Sequence, residues 1–130
     1  MIVDTSAIIA ILRNEPDAIA LSEALENSAI CRASAVTYLE AGIITDRNED
    51  PVLSRKLDEM IRDVRMKVEP VTFQQAQIAR QAYRDFGKGR HKAALNLGDC
   101  FAYALAKELD EPLLFKGEDF KHTDIEIAAY

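Results

Sequence analysis

Three carboxylates stand where a solvated surface does not account for them. Asp4 follows the apolar run Met1-Ile2-Val3 and precedes a second one, Ala7 to Leu12. Glu40 has Val36, Thr37, Ile43 and Ile44 three and four positions away, its helical neighbours, and none is a cation. Asp99 is the one charged residue between Lys92 and Lys107. Each has a structural explanation. Asp4 suits a helix cap, Glu40 the watery edge of an apolar face, and Asp99 the positive end of a helix dipole. Each also has a chemical one, because a carboxylate on an apolar face must be neutralised, solvated or bound to something. Magnesium takes oxygen ligands and keeps several waters, so a few carboxylates and a substrate phosphate are enough to hold it. Ions held this way activate water and stabilise the leaving oxygen in phosphodiester hydrolysis.

The remaining acids need no such reading. Glu23, Glu26, Glu49, Asp50, Asp58, Glu59 and Asp63 fall on polar helix faces or in turns. Positive charge gathers in one stretch, Arg84 and then Lys88, Arg90, His91 and Lys92. Lys88, Arg90 and Lys92 suit phosphates, and Gly87 and Gly89 let the backbone approach closely. A solvated loop is the competing explanation.

The elements that must position these residues alternate along the chain. Residues 1–4 suggest a strand, with Thr5 or Ser6 capping a helix to about Leu12. Pro16 suits the first turn of a second helix with Ala18, Leu21 and Leu25 on one face. Ala29 to Cys31 suggest a strand, and Ser34 caps a helix from about Ala35 to Thr45. After the break Asn48-Glu49-Asp50-Pro51, Leu53, Leu57, Met60, Ile61 and Val64 repeat at helical spacing. Val68 to Pro70 suggest a strand, and Thr72 caps a helix with the stripe Ala76, Ala79, Tyr83 and Phe86, ended by Gly87. Gly98 and Asp99 open a helix carrying Phe101, Leu105 and Leu109. Pro112 to Phe115 and Ile125 to Ile127 complete the strands. Strands alternating with helices predict an α/β fold, a mostly parallel sheet of four to five short strands flanked by helices. In such sheets ligands bind at the carboxyl ends of strands, where Asp4 stands.

Length and composition bound the rest. The 130 residues suit one domain over 1–130, with 48% hydrophobic and 29% charged residues. No run approaches the roughly 20 apolar residues of a membrane span, and the start lacks a signal peptide's features; the expected location is cytoplasmic. Cys31 and Cys100 show no metal-type pairing and fit small buried apolar residues. The two histidines, His91 and His122, are too far apart for a zinc site. A net charge of -6 argues against broad adhesion to nucleic acid, though an acidic metal cluster is itself negative.

Four blocks in order carry a resemblance. Ile-Val-Asp-Thr-Ser-Ala at the start, Ser-Ala-Val-Thr-Tyr-Leu-Glu, Leu-Asn-Leu-Gly-Asp-Cys-Phe-Ala-Tyr-Ala-Leu-Ala and Pro-Leu-Leu-Phe-Lys-Gly-Glu-Asp-Phe resemble the motifs of PIN domains, over residue 1 to about Ile127. Within that group the chain is most similar to VapC-type toxins of bacterial toxin–antitoxin pairs. The resemblance implies a PIN-like three-layer sandwich and a metal-dependent endoribonuclease using Mg2+ or Mn2+ to cleave cellular RNA. It also implies a homodimer and a VapB-type antitoxin. It makes Asp4, Glu40 and Asp99 the core catalytic and metal-binding acids, and Ser6 the hydroxyl that supports them. The last block departs from the family's Thr-x-Asp-x-Asp-Phe, with Phe115 and Gly117 at the Thr and first Asp positions. Asp119 is therefore taken as the fourth acid, ahead of Glu118 and Asp124. The loop Lys88, Arg90, His91 and Lys92, just before Asp99, is expected to bind RNA, with Lys116, Lys121 and His122 on the other side. Apolar faces at Ile8 to Leu12 and Leu53 to Val64 are candidates for protein contacts, though core is their commoner use.

Three rivals are weaker. A receiver-like domain would pair acids at its first strand, and a haloacid-dehalogenase phosphatase would show Asp-x-Asp where this chain has Asp-Thr-Ser. A PIN fold that only binds would not need all three core acids.

Overall fold

The computed structural model describes residues 1–47 and 49–130. Asn48, first residue of the expected break, lies outside the described residues. Four short strands, β1 (Ile2–Val3), β2 (Arg32–Ser34), β3 (Lys67–Glu69) and β4 (Leu113–Leu114), form one parallel sheet in the order β3-β2-β1-β4. Six helices connect and cover them: α1 (Thr5–Leu12), α2 (Ala18–Asn27), α3 (Ala35–Asp46), α4 (Pro51–Asp63), α5 (Phe73–Phe86) and α6 (Leu97–Leu109).

Alternation in the strands splits the core in two. Ile2 packs into a cluster with α5 and α6, including Ala79, Ala82, Ala102 and Leu105. Val3 faces the other way, into a cluster with Ile8, Leu21, Leu25 and Leu57 of α1, α2 and α4. Successive strand residues point to opposite faces, so this two-residue strand serves both layers. Because both faces are covered, β1 and β4 are wholly apolar and fully buried. No helix among the described residues is long and apolar enough to cross a membrane.

Several boundaries differ from the sequence reading. The second strand lies at Arg32–Ser34 rather than Ala29–Cys31. Cys31 is buried, but Ala29 and Ile30 are exposed, and Arg32 enters the sheet because Glu69 and Glu111 take its guanidinium at 2.7 and 2.9 Å. The expected strand at Ile125–Ile127 is a single bridge from Ile127 to Leu113. Helix α1 is capped by Asp4, not Thr5 or Ser6. Pro16 precedes α2 instead of sitting in its first turn. Gly98 and Asp99 follow Leu97 into α6, whose cap is Asn96. On α5 the stripe is rotated, with Ala82 buried and Tyr83 exposed. Ser34 and Thr72 cap α3 and α5 as expected, and Cys31 and Cys100 are buried free thiols.

Candidate functional site

Asp4 leaves the carboxyl end of β1 and caps α1. Its Oδ2 accepts the Ser6 backbone N–H at 3.0 Å and the Ser6 Oγ–H at 2.6 Å. Capping therefore occupies one oxygen only. The other, Oδ1, is buried and has no hydrogen-bond partner among the described residues, in a residue only 3% exposed. Burial raises the carboxyl's pKa, against the lowering by its bonds to Ser6, and the Glu40 charge raises it further.

Asp99 is placed by a reciprocal capping box at the start of α6. Asn96 Oδ1 accepts the Asp99 N–H at 2.9 Å, and Asp99 Oδ2 accepts the Asn96 N–H at 2.9 Å. Its pKa is pushed up to about 7, first by burial and then, against the Asn96 bond, by the charges of Asp4, Asp119 and Glu40. That one carboxyl feels the other three acids, from β1, from α3 and from the segment after β4, so the fold brings four distant positions into electrostatic contact.

Glu40 is carried by α3 and lies over α6. A Cβ on Gly98 would stand 2.4 Å from Glu40 Oε2 and 2.8 Å from its other oxygen, so only glycine admits the carboxylate here. Asp119 opens the short 3-10 turn Asp119–His122 and is exposed. Its side chain makes no hydrogen bond or ion pair among the described residues. The two alternatives for the fourth acid are otherwise engaged. Glu118 pairs with Lys121 at 2.7 Å, and Asp124 accepts the Tyr103 hydroxyl at 2.6 Å and pairs with Lys107 at 2.9 Å. Ser6 links two parts of the site: its Oγ donates to Asp4 and accepts the Lys116 N–H at 3.0 Å.

Among the described residues, no three Asp, Glu, His or Cys side chains form a group that could hold a metal ion as they stand. The donor set is nevertheless all oxygen, and its buried members, Asp4 and Asp99, have their charged forms disfavoured. A divalent cation is what such groups suit. A surface hollow of about 680 Å3 lies at the other end of the sheet, lined in part by Met1, Pro112, Ile127 and Tyr130. Of the four acids, Glu40 lines a smaller hollow of about 380 Å3, where it and Gly98 meet Asn96 and the apolar Val36, Leu39, Ile43 and Leu97.

The basic stretch is a loop closed by hydrogen bonds from Lys88 N–H to the Leu95 carbonyl and from Leu95 N–H to the Phe86 carbonyl, both 2.9 Å. It runs directly into the Asn96 cap. Lys88, Arg90 and Lys92 are exposed and make no ion pair among the described residues. His91 is turned inward, its Nδ1 accepting the Ala93 N–H at 3.1 Å and its ring edge-on to Phe86 at 5.3 Å. Lys116 is paired with Glu15 and Asp17, and Lys121 with Glu118. Ile8, Ile9 and Ala10 are core, as is Leu57. Exposed apolar side chains lie elsewhere, among them Leu39, Ile43, Phe73 and Leu97. Sequence reasoning missed Asn96 and the Glu15–Lys116 pair. The Asn-x-x-Asp spacing of a capping box was a visible signal for the first; nothing local marks the second.

A parallel sheet with carboxylates from β1, α3, α6 and the segment after β4 gathered at one end is the architecture of a PIN domain. The chain belongs to that family, whose match covers residues 1–126. Its relatives are VapC ribonucleases. It is 58% identical to ribonuclease VapC28 of Mycobacterium tuberculosis over 98% of this chain and 97% of that one. It is 52% identical to VapC42 of the same species over 96% of each chain. The crystal structure of Mycobacterium tuberculosis VapC20, a Sarcin-Ricin loop cleaving toxin, shares the fold with a TM-score of 0.76 at 15% identity, covering 98% of each chain. A toxin–antitoxin complex from Klebsiella pneumoniae does so with a TM-score of 0.74 at 15% identity, covering 99% of this chain and 97% of that one.

Proposed function

We propose that this protein is a VapC-type toxin, an endoribonuclease that depends on Mg2+ or Mn2+ held by Asp4, Glu40, Asp99 and Asp119. The observation that carries the reading is the buried Oδ1 of Asp4, left without a hydrogen-bond partner among the described residues at the carboxyl end of β1; burial and the charges of Asp4, Asp119 and Glu40, which raise the pKa of Asp99, agree with it. When bound, a divalent ion supplies Lewis acidity at the scissile phosphate and lowers the pKa of a water that attacks it. The chain's own groups do the positioning. Ser6 fixes the Asp4 carboxylate by two hydrogen bonds, leaving Oδ1 for the ion. The Asn96 capping box fixes one Asp99 oxygen and leaves the other. Lys88, Arg90 and Lys92 bind RNA phosphates beside the site, while His91 shapes the loop.

The relatives' names support RNA as substrate, and the toxin–antitoxin complex that shares this fold supports an antitoxin partner of the VapB type. The exposed Leu39, Ile43, Phe73 and Leu97 offer apolar surface to such a partner or to a second copy in a homodimer. The test is incubation of labelled total RNA with the protein in Mg2+, in Mn2+ and in EDTA. Cleavage confined to the metal-containing reactions is expected; equal cleavage in EDTA would refute metal dependence.

A further inference from the structure

The segment between β4 and the 3-10 turn brings Asp119 to the acidic site, and little within it holds it there. Gly117 has no side chain and a φ of +110°. Glu118 pairs with Lys121 of the adjoining 3-10 turn, not with the rest of the fold. Phe115 and Phe120 are buried with ring centroids 5.1 Å apart; they anchor the two ends and leave residues 116–119 between them. Within that stretch, Lys116 makes the side-chain ties to the rest of the described chain. Its ammonium donates to Glu15 Oε2 at 2.5 Å and stands 3.7 Å from Asp17 Oδ2. Its backbone N–H donates to Ser6 Oγ, which in turn donates to Asp4. Glu15 and Asp17 belong to the connection between α1 and α2.

We propose that Lys116 is a positioning residue whose pairing with Glu15 and Asp17 latches the Asp119 segment to the α1–α2 connection, and so keeps Asp119 beside Asp99. The proposal rests on the reading of these acids as the metal site. An ammonium already paired with two carboxylates is poorly placed to serve as a phosphate ligand, which separates Lys116 from Lys88, Arg90 and Lys92. Partly exposed ion pairs contribute little to global stability. The latch therefore shows in the local placement of the segment rather than in the melting temperature.

The test uses the full chain and its Lys116→Met, Lys116→Arg and Glu15→Gln variants. Amide hydrogen exchange across residues 117–122, measured without metal, should quicken by roughly two- to fivefold in Lys116→Met and Glu15→Gln. Lys116→Arg should stay near the wild type, and exchange in β1 and α6 should not change in any variant. Calorimetric titration with Mn2+ should show a Kd weakened by a similar factor in Lys116→Met and restored in Lys116→Arg. Unchanged exchange in Lys116→Met would overturn the latch, as would faster exchange throughout the protein. Failure of the wild type to bind Mn2+ would instead refute the metal site, and the exchange comparison would still decide the latch.

Discussion

Asp99 is held at its backbone by Asn96 and surrounded by three acids, and these two facts separate its structural role from its chemical one. Its folded pKa of about 7 lies above the ordinary value of 3.8. The folded state therefore holds a proton that the unfolded chain has released, and stability falls as pH rises from about 4 to about 7, with a slope of up to about 1.4 kcal/mol per pH unit. Asp4, whose pKa is also raised, acts with the same sign. Asn at position 99 keeps an acceptor for the Asn96 N–H and loses the charge. Metal-free Asp99→Asn should thus match or exceed the wild type's melting temperature at pH 8, with the advantage gone near pH 4. A large loss of stability at pH 8 would mean that the carboxylate's cap is its main work. At this scale the sequence was informative because the acids lacked nearby cations. It could not show that Asp4 divides its oxygens between cap and site, since that depends on the Ser6 side chain turning back onto one of them.

Between elements, the contact of α3 with α6 is set by a missing side chain. Gly98 lies under the Glu40 carboxylate, and an added methyl group would collide with the end of a flexible side chain rather than with backbone. Gly98→Ala should consequently leave the fold intact, because alanine favours a helix, while displacing Glu40 and lowering kcat by about tenfold or more. Wild-type kcat in that variant would show that the Glu40 position is not critical. The loop between α5 and α6 makes a different prediction. Lys88→Ala, Arg90→Ala and Lys92→Ala combined should weaken RNA binding and flatten its salt dependence by up to about three phosphate contacts. An unchanged slope in a filter-binding salt series would leave the loop as plain surface. Helices were legible because caps and apolar spacing are local: Ser34, Thr72 and Gly87 mark their ends as expected. Strands of two or three residues carry too few positions to register, so β2 was displaced by Arg32, whose partners Glu69 and Glu111 are remote in sequence.

For the molecule as a whole, the parallel sheet places the exits of β1 and β4 together, and α3 and α6 complete the site from either side. Alternating apolar strands and amphipathic helices made this class of fold readable, and the ordered motifs narrowed it to the PIN family. The convergence of the acids was not readable, because no local pattern states that α3 crosses α6 at Gly98 or that Asp119 returns to Asp99. The most direct test is cleavage of labelled total RNA by the wild type and by Asp99→Asn, purified identically, in Mg2+, Mn2+ and EDTA. Metal-dependent cleavage by the wild type and none by the folded variant is the expected result. Equal cleavage by both proteins would contradict an acidic site centred on Asp99.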